Sequence, residues 1–455
     1  MKYNFENIKP ESNTKCFRDH FSEDILNEFT QATDEGLDVA AYRSLFENVA
    51  GLPSGEIRSK LSHILFEAVM KAEMCSDYGY TEPSSLEEIK KLRKKHTFAC
   101  VMPDKETLLK KIQGAWAGRV CGCLLGKPVE GIRSPDMEIL LKNSGNFPMH
   151  RYINSTDITS EIEEKCAFSF KGKCFADITH GMPVDDDTNY MVLYQKIVEE
   201  YSKDFTPADV AGAWLKYQTI GSYFTAERVA FENFVKGYMP PYSAVYKNPY
   251  REWIGAQIRG DYFGYINPGN TEKAAEMAWR DACISHVKNG IYGEMWASAM
   301  IAAAAVTDNL EDIIFAGLGE IPSTSRLYSS VVSVVDDYRN GVSLDDVYKR
   351  IHGEFDEFTG YGWCHTISNA MIVTAALLYG EGDYGKSICM AVEPCFDTDC
   401  NGATVGSVLG MRNGIDGIGE EWTRPVEDTI HTSIYGSEKV KISDCVQMTM
   451  KHMGL

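Results

Sequence analysis

Two runs of glycine at four-residue intervals constrain the fold of this chain more than any other feature. The first run lies within residues 114–126 and the second within 402–414. Its members are Gly114, Gly118, Gly122 and Gly126, and then Gly402, Gly406, Gly410 and Gly414. In an α-helix, residues four apart follow one slowly drifting stripe. Glycine costs about 1 kcal/mol relative to alanine inside a helix, so four in register indicate close approach of a neighbouring backbone. The pattern predicts two tightly packed helices.

Two acidic clusters have no lysine or arginine within several positions along the sequence. They are residues 185–188, Asp-Asp-Asp-Thr, and residues 397–400, Asp-Thr-Asp-Cys. Carboxylates repel one another, and a buried ionised carboxylate is costly unless it is paired or bound to a metal. If the fold brings the clusters together, hard divalent cations, more than one, would neutralise them. The second glycine run begins three residues after Asp399, so we expect this cluster at the N-terminal end of a packed helix.

Each cluster also has a simpler interpretation. The aspartates at 185–187 could cap a helix over 189–201, because acidic side chains in a first turn favour the helix dipole. Residues 397–402 match the opening of a calcium loop. The twelfth position of such a loop requires a glutamate, but here it is Val408. We reject the calcium loop, which leaves two aspartates able to converge on an ion from a helix start.

Other candidate residues carry weaker signals. Glu130 follows the first glycine run, where a lone glutamate is usually solvated. Arg251 and Arg259 lie in an irregular, aromatic-rich segment, 238–269, and could hold a phosphate, although surface ion pairing is their default role. His286 lies at a helix end, where a histidine is more often structural. Since no P-loop, dinucleotide-binding glycine motif or Ser–His–Asp order is evident, the carboxylates carry the leading chemical hypothesis.

Composition excludes several classes of partner. The chain has 455 residues and a formal net charge of −20, which argues against nucleic acid or an anionic membrane as partner. The most apolar stretch, 297–306, is too short to span a bilayer, and the N-terminus lacks an apolar signal core. Thirteen cysteines without CxxC pairs fit a reducing cytoplasm.

Helical periodicity dominates the sequence and strand alternation is scarce, so we expect an all-α fold. Residues 1–103 read as a charge-rich helical extension, used for packing or for homo-oligomer formation, that precedes a main domain over 104–455. We expect helices near 24–33, 39–49, 57–74 and 85–94 in the extension, and in the main domain helices that open at Thr206 and Ser343 and buried, alanine-rich helices near 290–306 and 368–378.

Four segments together resemble the ADP-ribosylglycohydrolase superfamily, the group related to dinitrogenase-reductase-activating glycohydrolase. They are residues 114–131, 185–192, 284–304 and 397–414, and their order along the chain also fits. The resemblance covers roughly residues 105–435 and not the extension. It implies a compact, orthogonal helical globule with a site for two divalent metal ions, normally Mg²⁺ and sometimes Mn²⁺.

The resemblance also assigns metal ligands. They would be Asp185, Asp186, Asp187, Asp397 and Asp399. Two positions depart from the family pattern, because Asp185 replaces a threonine and Cys400 replaces a hydroxyl ligand. A thiol is soft and poorly suited to magnesium. A ligand set that includes Cys400 could suit manganese, or Cys400 could lie outside the ligand shell.

The implied reaction is hydrolysis at C1 of a ribosyl group, with Asp187 and Asp399 in the catalytic centre. Glu130 would act as acid and base or position the substrate. His286 falls where the family has a substrate-contacting histidine, and Arg251 and Arg259 would hold the rest of the substrate. The leading expectation is removal of ADP-ribose from a modified substrate. The alternatives are another N-riboside or small glycoside, and a non-catalytic ADP-ribose-binding or structural protein, against which the intact carboxylates count.

Overall fold

The computed structural model describes residues 19–455, and α-helices dominate this part of the chain. The first twelve helices are α1 His20–Glu23, α2 Ile25–Asp34, α3 Arg43–Ala50, α4 Glu56–Val69, α5 Leu86–Leu92, α6 Lys105–Gly126, α7 Ser134–Asn143, α8 Ser160–Lys165, α9 Asp186–Tyr201, α10 Pro207–Tyr217, α11 Thr225–Val235 and α12 Asp261–Tyr265. The others are α13 Thr271–Ala282, α14 Lys288–Ala304, α15 Leu310–Leu318, α16 Arg326–Arg339, α17 Leu344–Glu354, α18 Gly360–Cys364, α19 Thr366–Tyr379, α20 Tyr384–Val392, α21 Thr398–Asn413, α22 Glu420–Thr423 and α23 Ile442–His452.

Regular strands are confined, within residues 19–455, to one short hairpin. β1 spans Thr429–His431 and pairs antiparallel with β2, Lys439–Lys441. The all-α fold class is confirmed. No helix in the described part of the chain combines the length and the apolar character that crossing a bilayer requires.

The first glycine run lies on α6 and the first three glycines of the second run lie on α21, and these two helices pack against each other; Gly414 follows the end of α21 with a φ of 73°. The helices are antiparallel, with Gly114 opposite Gly410, Gly118 opposite Gly406, Gly122 opposite Gly402, and Gly126 opposite Thr398. At each of these positions an added Cβ would overlap backbone atoms of the other helix. The predicted tight packing is confirmed. Because the helices are antiparallel, the end of α6 lies at the start of α21, where the second acidic cluster begins.

The N-terminal extension has an apolar cluster of its own. Phe21, Ile25, Phe29, Phe46 and Phe66 are among its buried members. The three predicted long helices form as α2, α3 and α4, but α4 ends at Val69 and not near residue 74. The backbone at 74–75 instead pairs with residues 36–37. The expected boundary at 103 stays a prediction.

The main body buries the alanine-rich helices α14 and α19 as expected. Thr206 and Asp209 form a capping box at the start of α10, and Ser343 caps α17. The segment 238–269 differs from the expected irregular loop. It contains a 3₁₀ helix, Ile254–Arg259, followed by α12, and most of its residues from 248 onward are buried. This part of the segment passes through the core, and we call residues 248–269 the strap.

Candidate active site

The two acidic clusters meet at the N-terminal ends of α9 and α21. Asp185 caps α9, where its Oδ1 accepts a hydrogen bond from the Asp187 N–H at 2.9 Å. Asp397 occupies the cap position of α21, and Thr398 Oγ1 donates to the Gly126 carbonyl at 2.9 Å. The capping interpretation of the first cluster is therefore correct, and it does not compete with a role at the site.

Two groups of donor atoms are close enough to share a cation. Atoms of Asp187, Asp399 and Cys400 all lie within 4.8 Å of one another, and so do atoms of Cys123, Asp185 and Asp187. All five residues are buried, and Asp187 belongs to both groups. Asp186 and Asp397 line the cavity beside them.

Sequence reasoning missed Cys123. It lies on α6 directly after Gly122, one of the glycines in contact with α21. Its neighbours along the chain therefore indicate that this part of α6 faces the second acidic cluster. The position of Cys123 beside Gly122 was therefore the sequence signal that could have identified it, whereas CxxC spacing carries no information about this residue.

Two cations from α6 and its end reach the first cluster. Arg119 Nη2 lies 2.8 Å from Asp187 Oδ1, and Arg119 also pairs with Asp261 at 2.6 Å. Lys127 Nζ lies 2.5 Å from Asp185 Oδ2. Arg119 and Lys127 are distant from these aspartates in sequence but not in space, so the protein itself partly neutralises the first cluster.

Burial raises the pKa of several of these groups. It raises the pKa of Asp187 well above its usual range, even though Arg119 lowers it. Burial, followed by the charges of Glu130 and Asp397, raises the pKa of Asp399. Burial and the neighbouring Asp185 raise the pKa of Asp186. These shifts arise because negative charges share a poorly solvated volume.

Glu130 follows the short 3₁₀ turn after α6 and faces the same cavity. Its side chain is accessible to water, but surrounding protein atoms remove much of its solvation. This desolvation and the charges of Asp397 and Asp185 raise the pKa of Glu130 to about 7. A carboxyl group with such a pKa can hold or release a proton near neutral pH.

The donor set fits a divalent cation. Asp187 Oδ2 is buried and has no hydrogen-bond partner within residues 19–455. It faces a group of carboxylates whose charges repel one another. A cation would give this oxygen a partner and reduce the repulsion. The two thiols make the set softer than one built from oxygen alone.

The donors open into a cavity of about 510 Å³, a volume usual for small-molecule sites. Its lining includes Val184, Asn189, Gly221, Ser222, Phe224, Thr225, Glu227, Ile254, Gly255, Ile258, Trp363, Cys364 and Ser433. Phe224 is 57 % exposed, and the Arg133 guanidinium lies 5.2 Å from the centre of the Trp363 ring. Two larger clefts, of about 870 and 780 Å³, lie away from the acidic clusters.

The structure gives Arg251 and Arg259 a different place from the expected one. Neither lines the cavity, and both are buried in ion pairs. Arg251 pairs with Glu28 at 2.7 Å and with Glu35 at 2.6 Å. Arg259 pairs with Asp281 at 2.6 Å. The expectation that they hold substrate phosphate is therefore corrected, because carboxylates of the protein already neutralise them.

His286 also lies outside the cavity lining. It is fully buried, and its Nδ1 lies 2.8 Å from the hydroxyl of Ser285. Burial and the nearby Arg259 charge hold the pKa of His286 well below its usual range. The structure therefore gives it the structural position that a histidine at a helix end usually has.

Glu227 is a cavity residue that sequence reasoning missed. It is buried on α11, and its Oε1 accepts a hydrogen bond from Arg259 Nη1 at 2.9 Å. Its carboxylate also lies where a side chain at Gly255 would be. Glu227 adds a further carboxylate, paired with Arg259, to the cavity wall.

Comparison with known proteins defines the class. The model of the ADP-ribosylglycohydrolase family matches residues 104–447, so the chain belongs to this family of glycohydrolases. A solved structure described as an ADP-ribosylglycohydrolase-related protein complex is similar over 77 % of this chain and 99 % of that chain, with 16 % identity and a TM-score of 0.44. No curated protein matches the sequence.

Proposed function

We propose that this protein is a metal-dependent hydrolase that cleaves the bond at C1 of a ribosyl group. Removal of ADP-ribose from a modified substrate is the first candidate reaction. The observation that carries the proposal is the meeting of two acidic clusters, from helix starts more than 200 residues apart, in one cavity of ligand size. Family membership supplies the reaction class.

In this proposal Asp185, Asp187 and Asp399 hold two divalent cations, and Asp186 and Asp397 complete the set from the cavity wall. When bound, such cations can polarise ribose hydroxyls and lower the pKa of a coordinated water. Ion pairs with α6 fix two of the ligands. Arg119 orients Asp187, and Lys127 orients Asp185.

Glu130 is proposed as the proton-transfer residue. It lies in the cavity lining with Asp397 and Asp399, and its raised pKa lets it exchange a proton near neutral pH. As a base it would accept a proton from the attacking water. As an acid it would donate one to the leaving group.

We also propose that the cations are softer than Mg²⁺. Cys123 and Cys400 each contribute a sulfur atom to one of the two donor groups. Thiolate ligands favour borderline and soft transition metals, whereas Mg²⁺ prefers oxygen. Mn²⁺ is the first candidate, since it accepts carboxylates as readily as Mg²⁺ does.

The charge of the cavity favours a second candidate, hydrolysis of an N-riboside or small glycoside that carries no phosphate. Six carboxylates line the cavity, those of Glu130, Asp185, Asp186, Glu227, Asp397 and Asp399. Among the lining residues that belong to the described part of the chain, 19–455, Lys127 is the only lysine or arginine, and it is already paired with Asp185. No other cationic side chain of the lining is placed to neutralise a diphosphate.

A hydrolysis panel tests both candidates. The substrates are peptides ADP-ribosylated on arginine or serine, and unphosphorylated nucleosides, each with Mn²⁺ or with a chelator. Release of ADP-ribose supports the first candidate, and turnover of nucleosides alone supports the second. The matched variant is Asp399→Asn, because Asp187 also pairs with Arg119 and its loss would disturb more than the site. Binding of ADP-ribose with no turnover of any substrate would refute the enzymatic proposal.

A further inference from the structure

Helix α2 of the N-terminal extension carries a row of buried polar side chains. Glu28, Gln31 and Glu35 follow helical spacing, and their exposed fractions are 0 %, 0 % and 7 %. Charged side chains on a surface helix normally face water, and they are rarely buried unless paired. This row faces the main body of the protein, where each member has a partner.

The side chains of this row bind Arg251 and Glu252 near the start of the strap, and the strap forms one wall of the cavity. Arg251 lies between Glu28 and Glu35, with N–O distances of 2.7 and 2.6 Å. Gln31 Nε2 donates to Glu252 Oε2 at 2.7 Å. Three residues beyond Arg251 the strap reaches the cavity, where Ile254, Gly255 and Ile258 form part of the lining.

The end of α2 holds a second wall. The Tyr361 hydroxyl, on α18, donates to Asp34 Oδ2 at 2.8 Å. Trp363 and Cys364 follow Tyr361 by two and three residues, and both line the cavity. Cys364 Sγ lies 3.5 Å from Asp397 Oδ2. The Tyr361–Asp34 hydrogen bond thus links helix α2 to Cys364, three residues later, and Cys364 contacts the carboxylate of Asp397.

The two walls are also bound to each other. The Thr366 N–H donates to the Glu252 carbonyl at 3.1 Å, and its hydroxyl donates to the Trp253 carbonyl at 2.8 Å. The rings of Trp253 and Tyr361 contact edge to face, with centroids 6.3 Å apart. Helix α2 and both walls therefore form one hydrogen-bonded unit.

We propose that helix α2 is a positioning element of the active site, which sets substrate affinity through Arg251 and Tyr361 without touching the substrate. The inference rests on the proposed function, since it takes this cavity as the substrate site. Buried charge-assisted hydrogen bonds have narrow geometry, and a buried ion pair fixes an arrangement more than it adds stability. A small displacement of a substrate-binding wall can lower activity considerably.

The test uses full-length protein with the substitutions Tyr361→Phe and Asp34→Ala, singly and together. Tyr361→Phe removes only the hydroxyl, which donates to Asp34 Oδ2 at 2.8 Å and also lies 3.4 Å from Gln31 Oε1. Hydrogen exchange should rise at backbone amides of 252–258 and 361–366 in both variants, and amides of α6 and α21 should keep wild-type exchange. The double variant should match Tyr361→Phe, because that substitution already removes the hydrogen bond to Asp34.

Affinity is the second readout. With Mn²⁺ present, the Kd for ADP-ribose should rise about tenfold in both variants, and Asp34→Asn, which keeps an accepting oxygen, should restore much of it. Tyr379→Phe is the matched control, since it removes a hydroxyl that donates to the Val342 carbonyl at 2.7 Å far along α19. If the Kd rose only because a buried hydrogen bond was lost and the protein became less stable, it would rise equally in Tyr379→Phe.

The outcomes separate this inference from the proposed function. Wild-type exchange at both walls in Tyr361→Phe would overturn the positioning role, whether or not ADP-ribose binds. If the wild-type protein does not bind ADP-ribose, the first candidate substrate fails, and the exchange data still decide the positioning role. If Asp34→Ala does not fold, Tyr361→Phe alone carries the test.

Discussion

Gly122 on α6 and Gly402 on α21 lie directly opposite each other, so closely that a Cβ on either would overlap the carbonyl oxygen of the other. The same relationship repeats along both helices up to Gly126, which lies against Thr398. Close backbone packing therefore ends at the acidic cluster. The glycines set the separation of α6 and α21, and with it the distance of Cys123 and Lys127 from the carboxylates.

Substitution of Gly122 by alanine should destabilise the protein. The added Cβ meets backbone atoms, which cannot rotate away, and overpacking a core typically costs about 1–3 kcal/mol. Thermal unfolding followed by circular dichroism measures the change. Gly212→Ala is the control, because an added Cβ on α10 meets nothing within 4 Å. That variant should gain up to about 1 kcal/mol from helix propensity, and equal losses in both variants would contradict the packing argument.

Divalent cations should stabilise the protein, because they neutralise buried carboxylates. At a concentration 100 times its Kd, Mn²⁺ should add about 2.7 kcal/mol to the free energy of unfolding for each site that it occupies. Thermal melts with Mn²⁺ or with a chelator measure this effect. In Asp399→Asn the part of the increase that comes from the site with Asp187 and Cys400 should be lost, together with hydrolysis. Asp346→Asn, at an exposed helix start, should keep both, and an unchanged Mn²⁺ response in Asp399→Asn would refute its role as a ligand.

The helical fold and the packing of α6 against α21 could be predicted because they follow from local patterns, whereas the meeting of the two clusters was implied only by the family resemblance. Glycine at every fourth position marks one face of a helix, and each cluster lies at a helix start. The roles of Arg119 and Arg251 could not be predicted in this way. Their partners, Asp187 and Glu28, are distant in sequence, and periodicity does not show which buried acid a cation will meet. The pattern of 238–269 predicted an irregular loop, but from residue 248 onward most of it is buried and part of it is helical.

The thiols should determine which metal binds. Cys400→Ser and Cys123→Ser replace a soft sulfur by a hard oxygen, so each should shift preference from Mn²⁺ or Co²⁺ toward Mg²⁺. Competition titrations measure the ratio of dissociation constants, and in each variant the Co²⁺-loaded protein should lose the part of its thiolate charge-transfer absorption that comes from the replaced thiol.

Cys121→Ser is the matched control for these substitutions. Its thiol is also buried on α6, two residues before Cys123, but it belongs to neither donor group. The control should keep the wild-type metal preference. If both ligand variants also keep it, the thiols lie outside the metal shell.

Glu130 should make the metal-free protein less stable as the pH rises. Its pKa is about 7 in the folded protein, against an ordinary value of 4.5. Between these two values the folded chain keeps a proton that the unfolded chain releases, so the free energy of unfolding falls with increasing pH. Thermal melts in chelator at pH 5, 6 and 7 should show this decline, and Glu130→Gln should reduce its slope because it removes the titrating group. Glu138→Gln, an exposed carboxylate paired with Lys142 on α7, should leave the slope unchanged. Equal slopes for the wild type and Glu130→Gln would show that burial and the neighbouring aspartates do not raise the pKa of Glu130.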